Sequence, residues 1–288
     1  MIKLHHDGLS RPLESPRLRV LSLGAGVQST TLALMAGRGE IELPDFAIFA
    51  DTGDEPEKVY RHLDWLEQEL PFPVRRVSAG KSISDAIREG KGLRIPAFAA
   101  MDDGRPAPVT RTCTRDFKID VINAEVRRTL GVKPRQPMRS FLGLKRGDAV
   151  PPVVEQWLGI SMDEIERLKR GRLPWVHIRH PLIEARMNRR DCLRWLEERQ
   201  YPIPMKSACV FCPWRTNAEW RELRDHHPAD FARAVRSDAD LRAGGPRRSM
   251  RTLAYVHRTM VPLDQVDLSA PEEGGFDFRN ECDGVCGV

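Results

Sequence analysis

The chain has 288 residues, with 46 Lys and Arg against 41 Asp and Glu, a net charge of +5, and 41% apolar side chains. That composition supplies one large core or two smaller ones, as expected of a globular protein. No apolar run is long enough to cross a bilayer and the start Met1-Ile2-Lys3-Leu4-His5-His6-Asp7 has no apolar h-region, so a cytoplasmic protein without membrane span or signal peptide is expected.

In chain order, residues 1–16 read as an N-terminal tail. The apolar run 18–23 reads as a strand followed by a helical pattern over 29–36, then strand 46–50 and helix 56–69, then strand 74–77 and a helix opening at Ser82. This βαβαβ rhythm predicts a three-layer α/β/α domain over 17–185, with a mainly parallel sheet and right-handed crossovers. Pro56 suits the first turn of its helix, and Ser82-x-x-Asp85 and Ser161-x-x-Glu164 both read as N-terminal capping arrangements. Residues 89–110 lose periodicity and read as a long surface loop, a place for a lid or a substrate-facing segment; 131–152 is a second break. Strands over 153–160 and 175–178 complete the sheet. Residues 186–288 read as a smaller, mainly helical region packed on it, with helices at 188–200, 217–226 and 228–238.

The first strand runs into Ser22-Leu23-Gly24-Ala25-Gly26-Val27-Gln28-Ser29-Thr30. Two glycines let the backbone approach an anion, and the hydroxyls of Ser22, Ser29 and Thr30 are expected at the mouth of the following helix, whose dipole favours negative charge. A phosphate is the expected guest; an ordinary tight turn is the alternative reading of Gly24 and Gly26. The spacing is neither that of a Walker loop nor that of a dinucleotide fingerprint. The second strand runs into Asp51-Thr52-Gly53-Asp54-Glu55-Pro56, and ends of neighbouring parallel strands converge on one crevice.

Gly24-Ala25-Gly26-Val27-Gln28-Ser29 resembles the PP-loop of the ATP pyrophosphatase (adenine nucleotide alpha hydrolase) superfamily, usually Ser-Gly-Gly-x-Asp-Ser. Gly24, Ala25 and Gln28 replace its first Ser, middle Gly and Asp. The Asp51-Thr52-Gly53-x-Glu55 phrase and Gly159-Ile160-Ser161 followed by Glu164 resemble the 3′-phosphoadenylyl-sulfate (PAPS) reductase branch, with Ser161 where Arg is expected. The resemblance covers roughly residues 18–184. It implies an adenine nucleotide, ATP or one such as PAPS, with its phosphates at Ser22, Gly24, Gly26, Val27, Gln28, Ser29 and Thr30. Asp51, Thr52 and Gly53 would border the adenosine or α-phosphate, with Gly159 and Ser161 nearby. Mg²⁺ could be held by Asp51, Asp54 or Glu55, each equally readable as a helix-start acid. Lys118 and Arg115 are candidate phosphate or acceptor contacts, or a solvated helix face.

Six cysteines in a cytosolic chain point to metal or redox chemistry rather than disulfides. Cys192 lies in an apolar stripe and reads as core. Cys113, Cys209, Cys212 and one of Cys282 and Cys286 would supply the four thiolates of a [4Fe-4S] cluster or a structural Zn²⁺ site, which spacing alone does not separate. Iron–sulfur members of the PAPS reductase-like branch, the DNA-phosphorothioation enzymes among them, also pair an isolated cysteine with a later Cys-x-x-Cys, so the resemblance favours the cluster; Cys282 is taken as its fourth ligand, with Cys286 the alternative. The remaining terminal cysteine is a spare ligand or a mobile nucleophile. Glu281-Cys282 and Cys286-Gly287 each match part of the catalytic Glu-Cys-Gly-Leu-His phrase of PAPS reductases.

Basic clusters at 167–172, 186–190 and 247–251 suit a polyphosphate or a nucleic acid, or are solvated faces. His177, His180, His226 and His227 read as ordinary histidines, with acid–base assistance as the alternative. The phrase set, with Cys209-Val210-Phe211-Cys212-Pro213-Trp214 and the Asn280-Glu281-Cys282 ending, resembles uncharacterised PAPS reductase-like proteins of phage and prophage genomes. The leading expectation is an enzyme that adenylates an acceptor such as DNA or tRNA, releases pyrophosphate and transfers sulfur with iron–sulfur assistance and a sulfur or electron donor protein. The catalytic candidates are Asp51, Lys118, Cys282 and Cys286. The alternatives are a sulfonucleotide reductase using a C-terminal cysteine and a non-catalytic nucleotide- or nucleic-acid-binding iron–sulfur protein.

Overall fold

The computed structural model describes residues 11–89, 97–100, 106–108, 112–168, 171–243 and 253–269, the 106–108 stretch by its backbone. The chain begins β1 (Leu18–Ser22), α1 (Val27–Gly37), β2 (Phe46–Asp51), α2 (Glu57–Glu69), β3 (Val74–Ser78) and α3 (Ile83–Arg88). β1 and β2 are near-continuous apolar runs because both of their faces are covered. α1 starts two residues earlier than the periodicity suggests, which takes Gln28 into its first turn. Pro56 occupies the N-cap of α2 rather than its first turn. The expected capping box of α3 is present: Asp85 N–H donates to Ser82 Oγ at 3.0 Å and Ser82 N–H to Asp85 Oδ2 at 3.3 Å.

Where one long surface loop is expected, the described residues form an antiparallel ribbon, β4 (Phe98–Ala100) with β5 (Pro106–Pro108). Phe98 holds it: the ring is fully buried, edge-on to Trp214, and its backbone pairs with Tyr255 from far along the chain. A π-helical turn, Arg115–Ile119, then leads into α4 (Asp120–Thr129). The break at 131–152 contains the short α5 (Met138–Phe141). β6 (Val154–Leu158) is followed by a 3-10 segment, Met162–Arg167, then β7 (Val176–Arg179), α6 (Pro181–Glu184), α7 (Arg189–Glu198), α8 (Asn217–His226) and α9 (Pro228–Ala243).

Five parallel strands lie in the order β3-β2-β1-β6-β7. Alternate residues face opposite layers. Leu21, Phe49 and Trp157 pack with Leu32 of α1, Leu63 of α2 and Leu196 of α7; Val20, Ile48 and Leu158 pack with Ile122 and Val126 of α4. The result is the expected three-layer α/β/α fold, and truncating a buried leucine such as Leu21 to alanine costs about 2–5 kcal/mol. A third apolar cluster joins Ile83 and Ile87 of α3, Phe117, Val210, Phe211, Trp220 of α8 and Ala234 of α9. Among the described residues no helix is long and apolar enough to cross a membrane.

This topology decides where a ligand can sit. After β1 the chain moves outward to β2 and β3, then returns to the other side of β1 as β6. The strand order therefore reverses between β1 and β6, and the crevice opens beyond Ser22 and Leu158, which are register partners at the carboxyl ends of those strands.

Candidate functional site

Beyond Ser22 the chain turns through Gly24, Ala25 and Gly26 into α1. The left-handed residue of this turn is Ala25, with φ 58°, rather than either glycine, and Gly26 is extended at the N-cap. An alanine held there carries strain of order 1 kcal/mol, maintained by its surroundings. Ser29 clips the turn, accepting from Gly24 N–H at 3.2 Å and donating to Gly26 O at 3.3 Å. Ser22 Oγ accepts from Gln156 on β6 at 2.8 Å. Thr30 does not stand at the mouth as expected: its hydroxyl meets His62 Nε2 at 3.1 Å inside the α1–α2 packing. Burial pushes His62 down to about 4, so the imidazole is neutral. α1 has no acid in its first turn and no side-chain cap at Gly26. Its leading N–H groups lack intrahelical partners, an arrangement chemically suited to an anion.

The loop after β6 forms the facing wall. A Cβ at Gly159 would lie 2.9 Å from Ser29 N and 3.0 Å from Ser29 Cα, so backbone here rests directly on the first turn of α1. Ser161 is fully buried and donates to Asp163 Oδ1 at 2.6 Å instead of capping the 3-10 segment, where Glu164 is itself non-helical. Gln28 Nε2 reaches Ser161 Oγ at 3.5 Å and Glu164 Oε2 at 3.4 Å, and Glu164 pairs with Arg167.

The loop after β2 is tied down by protein. Asp51 Oδ1 accepts from Gly53 N–H at 2.8 Å and from the Tyr60 hydroxyl at 2.7 Å. Burial and this carboxylate raise the Tyr60 phenol above its usual range. Gly53 sits at φ +74°, and a Cβ there would fall 2.7 Å from Ser82 Cβ, so both conformation and space demand glycine. Asp54 Oδ2 accepts from Ser84 N–H at 2.7 Å, Arg233 stands 3.7 Å from Oδ1, and burial raises the carboxyl above its ordinary value. Glu55, 1% exposed, faces Lys118 Nζ at 3.6 Å. Arg233 from α9 also donates to the carbonyls of Gly53 and Glu55, at 3.1 and 3.2 Å. All three acids considered for Mg²⁺ thus have protein partners.

The Cys209–Cys212 turn docks on the same loop. Val210 N–H donates to Asp54 O at 2.7 Å, Thr52 Oγ1 lies 3.4 Å from Cys209 Sγ, and Cys212 N–H closes the turn on Cys209 O at 2.8 Å. Burial, then Glu55, raises the Cys209 thiol well above its usual value, with Lys118 acting in the opposite sense. Cys113, just before the π-helical turn, packs with Cys209 against the third apolar cluster. Among the described residues no three His, Cys, Asp or Glu side chains are arranged to hold a metal ion. Cys282 and Cys286 lie outside the described residues, as does the basic stretch 247–251.

Cys192 is core as expected, its thiol pushed up to about 12 by burial. Arg115 is exposed and pairs with Asp116 at 2.9 Å. His177 contacts Arg11 O at 2.6 Å, His226 and His227 lie beside Glu222, and His180 is buried at the N-cap of α6. Sequence reasoning missed Arg189 and Arg233 as parts of these loops. Arg189 was visible only as one member of a basic run, and nothing in the sequence pairs either arginine with a loop more than 150 residues away.

No family model matches the sequence, and no curated protein matches it. Twenty solved chains match in structure. One is the phosphoadenylyl-sulfate (PAPS) reductase of Candida auris in a phosphate complex, 11% identical, covering 65% of this chain and 74% of that one, with a TM-score of 0.39. A likeness of that degree carries no argument about chemistry, which rests on this chain's own residues.

Proposed function

We propose that this chain is a PP-loop-type enzyme that binds ATP, adenylates an acceptor with release of pyrophosphate, and thereby prepares the acceptor for sulfur transfer. The observation that supports it is the turn at residues 24–29, an uncapped, acid-free helix N-terminus walled by the Gly159 backbone at the point where strand order reverses. In this reading the β- and γ-phosphates lie on the first-turn N–H groups of α1, and Ser29 keeps the loop shaped to receive them. The acceptor's nucleophile attacks the α-phosphorus, the bond to the bridging α–β oxygen breaks, and pyrophosphate leaves with that electron pair. The protein contributes by positioning and by stabilising charge on the departing phosphates.

A nucleic acid is the acceptor we favour. Met162 N–H donates to Met187 O at 2.8 Å, so the basic stretch 186–190 adjoins the loop after β6 that walls the crevice, with Arg186 and Arg190 exposed. Asp51, Asp54 and Glu55 are engaged with protein, and Cys282 and Cys286, the candidates for the fourth thiolate, lie outside the described residues, so the step above is written on the chain's own backbone and side chains. The test is to incubate the full chain with ATP, with and without tRNA or DNA, and to measure pyrophosphate; PAPS with a dithiol is run in parallel for sulfite. Acceptor-dependent pyrophosphate is expected. Sulfite from PAPS without pyrophosphate from ATP would replace this reading with a sulfonucleotide reductase, and failure to bind either nucleotide would end it.

A further inference from the structure

Between Val126 and Gly147 the chain carries seven Lys and Arg and no Asp or Glu. Seven exceeds the net charge of +5 for all 288 residues, so the rest of the chain is net negative. The stretch runs from the last turn of α4, through two loops that flank α5, to the approach to β6. It therefore lies at the amino ends of the strands, across the sheet from the crevice beyond Ser22 and Leu158. Exposed Arg17 adds a further cation beside α5: its N–H donates to Val153 O at 2.8 Å and its guanidinium stands 5.7 Å from the centre of the Phe141 ring.

Three of the seven have roles within the protein. Arg127 and Arg128 lie in the last turn of α4, where they offset the helix dipole; Arg127 also donates to Gln136 O, and Arg128 pairs with Glu125 at 2.7 Å. Arg139 donates to Lys145 O at 2.6 Å and to Asp148 O at 2.7 Å, which ties the second loop to α5. The other four, Lys133, Arg135, Lys145 and Arg146, are exposed, and their side chains pair with no described residue. Asp148, the next acid in sequence, accepts from the backbone N–H of Lys145 instead. Elsewhere arginines are engaged with protein: Arg189 Nη1 donates to Gln28 Oε1 at 2.8 Å, Arg179 pairs with Glu184 at 2.8 Å and Arg233 with Asp230 at 3.1 Å. Four like charges on loops braced by Arg127 and Arg139 repel one another, and an external polyanion relieves that repulsion. Phe141, the one aromatic of the stretch, is half-buried, so the surface offers phosphate contacts rather than a platform for stacked bases. The exposed large apolar side chains among the described residues, Leu43, Ile203 and Leu253, all lie outside it, so a lipid surface would find nothing here to insert.

We propose that this surface binds the phosphate backbone of a duplex nucleic acid, in a contact separate from the crevice and independent of the nucleotide reading above. The test measures fluorescence anisotropy of labelled DNA and RNA duplexes of about 20 base pairs over a range of KCl concentrations. Full-length wild type is compared with a variant carrying Lys133→Gln, Arg135→Gln, Lys145→Gln and Arg146→Gln. A control variant loses the same charge elsewhere, through Lys58→Gln, Arg61→Gln, Arg224→Gln and Arg236→Gln, all exposed. The first variant is expected to bind a duplex about tenfold or more weakly, with a slope of log affinity against log salt shallower by about 3 to 4, as four lost phosphate contacts require. The control should change little. Thermal melting of the first variant, and whatever ATP affinity the wild type has, should be unchanged, because the four side chains brace nothing in the fold and lie away from the crevice. Equal weakening by both variants would overturn the proposal, since that reports net charge alone. So would a first variant that binds like the wild type, which leaves any contact at 186–190 standing. A wild type that binds phosphatidylserine vesicles but neither duplex would assign the surface to a membrane and overturn it as well.

Discussion

The loops after β1 and β2 leave neighbouring strands at the same edge of the sheet but are built on opposite plans. The first is shaped by short side chains and backbone: Ser29 clips it, Gly159 backs it, and the adjoining helix turn carries neither acid nor side-chain cap. The second is fastened by long-range charge and sulfur: Asp51 to Tyr60, Asp54 to Ser84, Glu55 to Lys118, Thr52 to Cys209, and Arg233 across two carbonyls. A loop with its polar groups answered by protein serves as a fixed wall. A loop whose donors are set by a helix end is suited to a ligand.

Mutations at the fastened loop should therefore register as stability and those at the cradle as affinity. The largest effect expected is for Lys118→Met, which removes the cation facing buried Glu55 and should cost about 3 kcal/mol in denaturant unfolding. A Lys118→Met protein that unfolds like wild type but no longer binds ATP would break the comparison. Gly53→Ala meets both the positive φ and Ser82, and a loss of about 2 kcal/mol is expected. Gly159→Ala presses a methyl onto backbone at Ser29; calorimetry should show ATP binding weakened about tenfold or more for a stability change of about 1–2 kcal/mol. The opposite ratio would make Gly159 a packing residue.

The smallest effect expected is pH-dependent. His62 between α1 and α2 and His257 in the segment after α9 are both buried and pushed down to about 4 from an ordinary 6.5. The unfolded chain takes up their protons first, so the stability they confer is full above 6.5 and is lost as pH falls toward about 4. Near pH 6 each should contribute a loss of about 1 kcal/mol, and His62→Gln should reduce the slope of stability against pH over that window. An unchanged slope would place the titration elsewhere.

Much of the sheet was legible because a doubly covered parallel strand must be almost wholly apolar, as in Val20-Leu21 and Phe46-Ala47-Ile48-Phe49, while surface helices show their spacing. Capping was legible only where local. Ser82 and Asp85 satisfy each other within one turn, but the same spacing at Ser161 and Glu164 misled because Asp163 captures the hydroxyl and Gln28 and Arg167 claim the carboxylate. The β4–β5 ribbon was illegible because its anchor, Phe98, pairs with Tyr255 rather than with a neighbour in sequence. Thr30 shows the limit at the candidate site itself. Its position beside Ser29 suggested a shared role, yet the helical turn rotates it onto His62.

The placement of β1 between β2 and β6 also sets a timetable. β2 follows β1 closely in sequence and can pair with it early in synthesis, but the strand that covers the other edge of β1 is encoded more than 130 residues after it. Until Val154–Leu158 leaves the ribosome, the nascent sheet exposes an apolar edge through Val20 and Leu21, a template for pairing with other chains. The anion cradle is likewise one-sided until Gly159 arrives. The edge that β6 covers and the crevice wall that Gly159 supplies are thus completed by one and the same segment of chain.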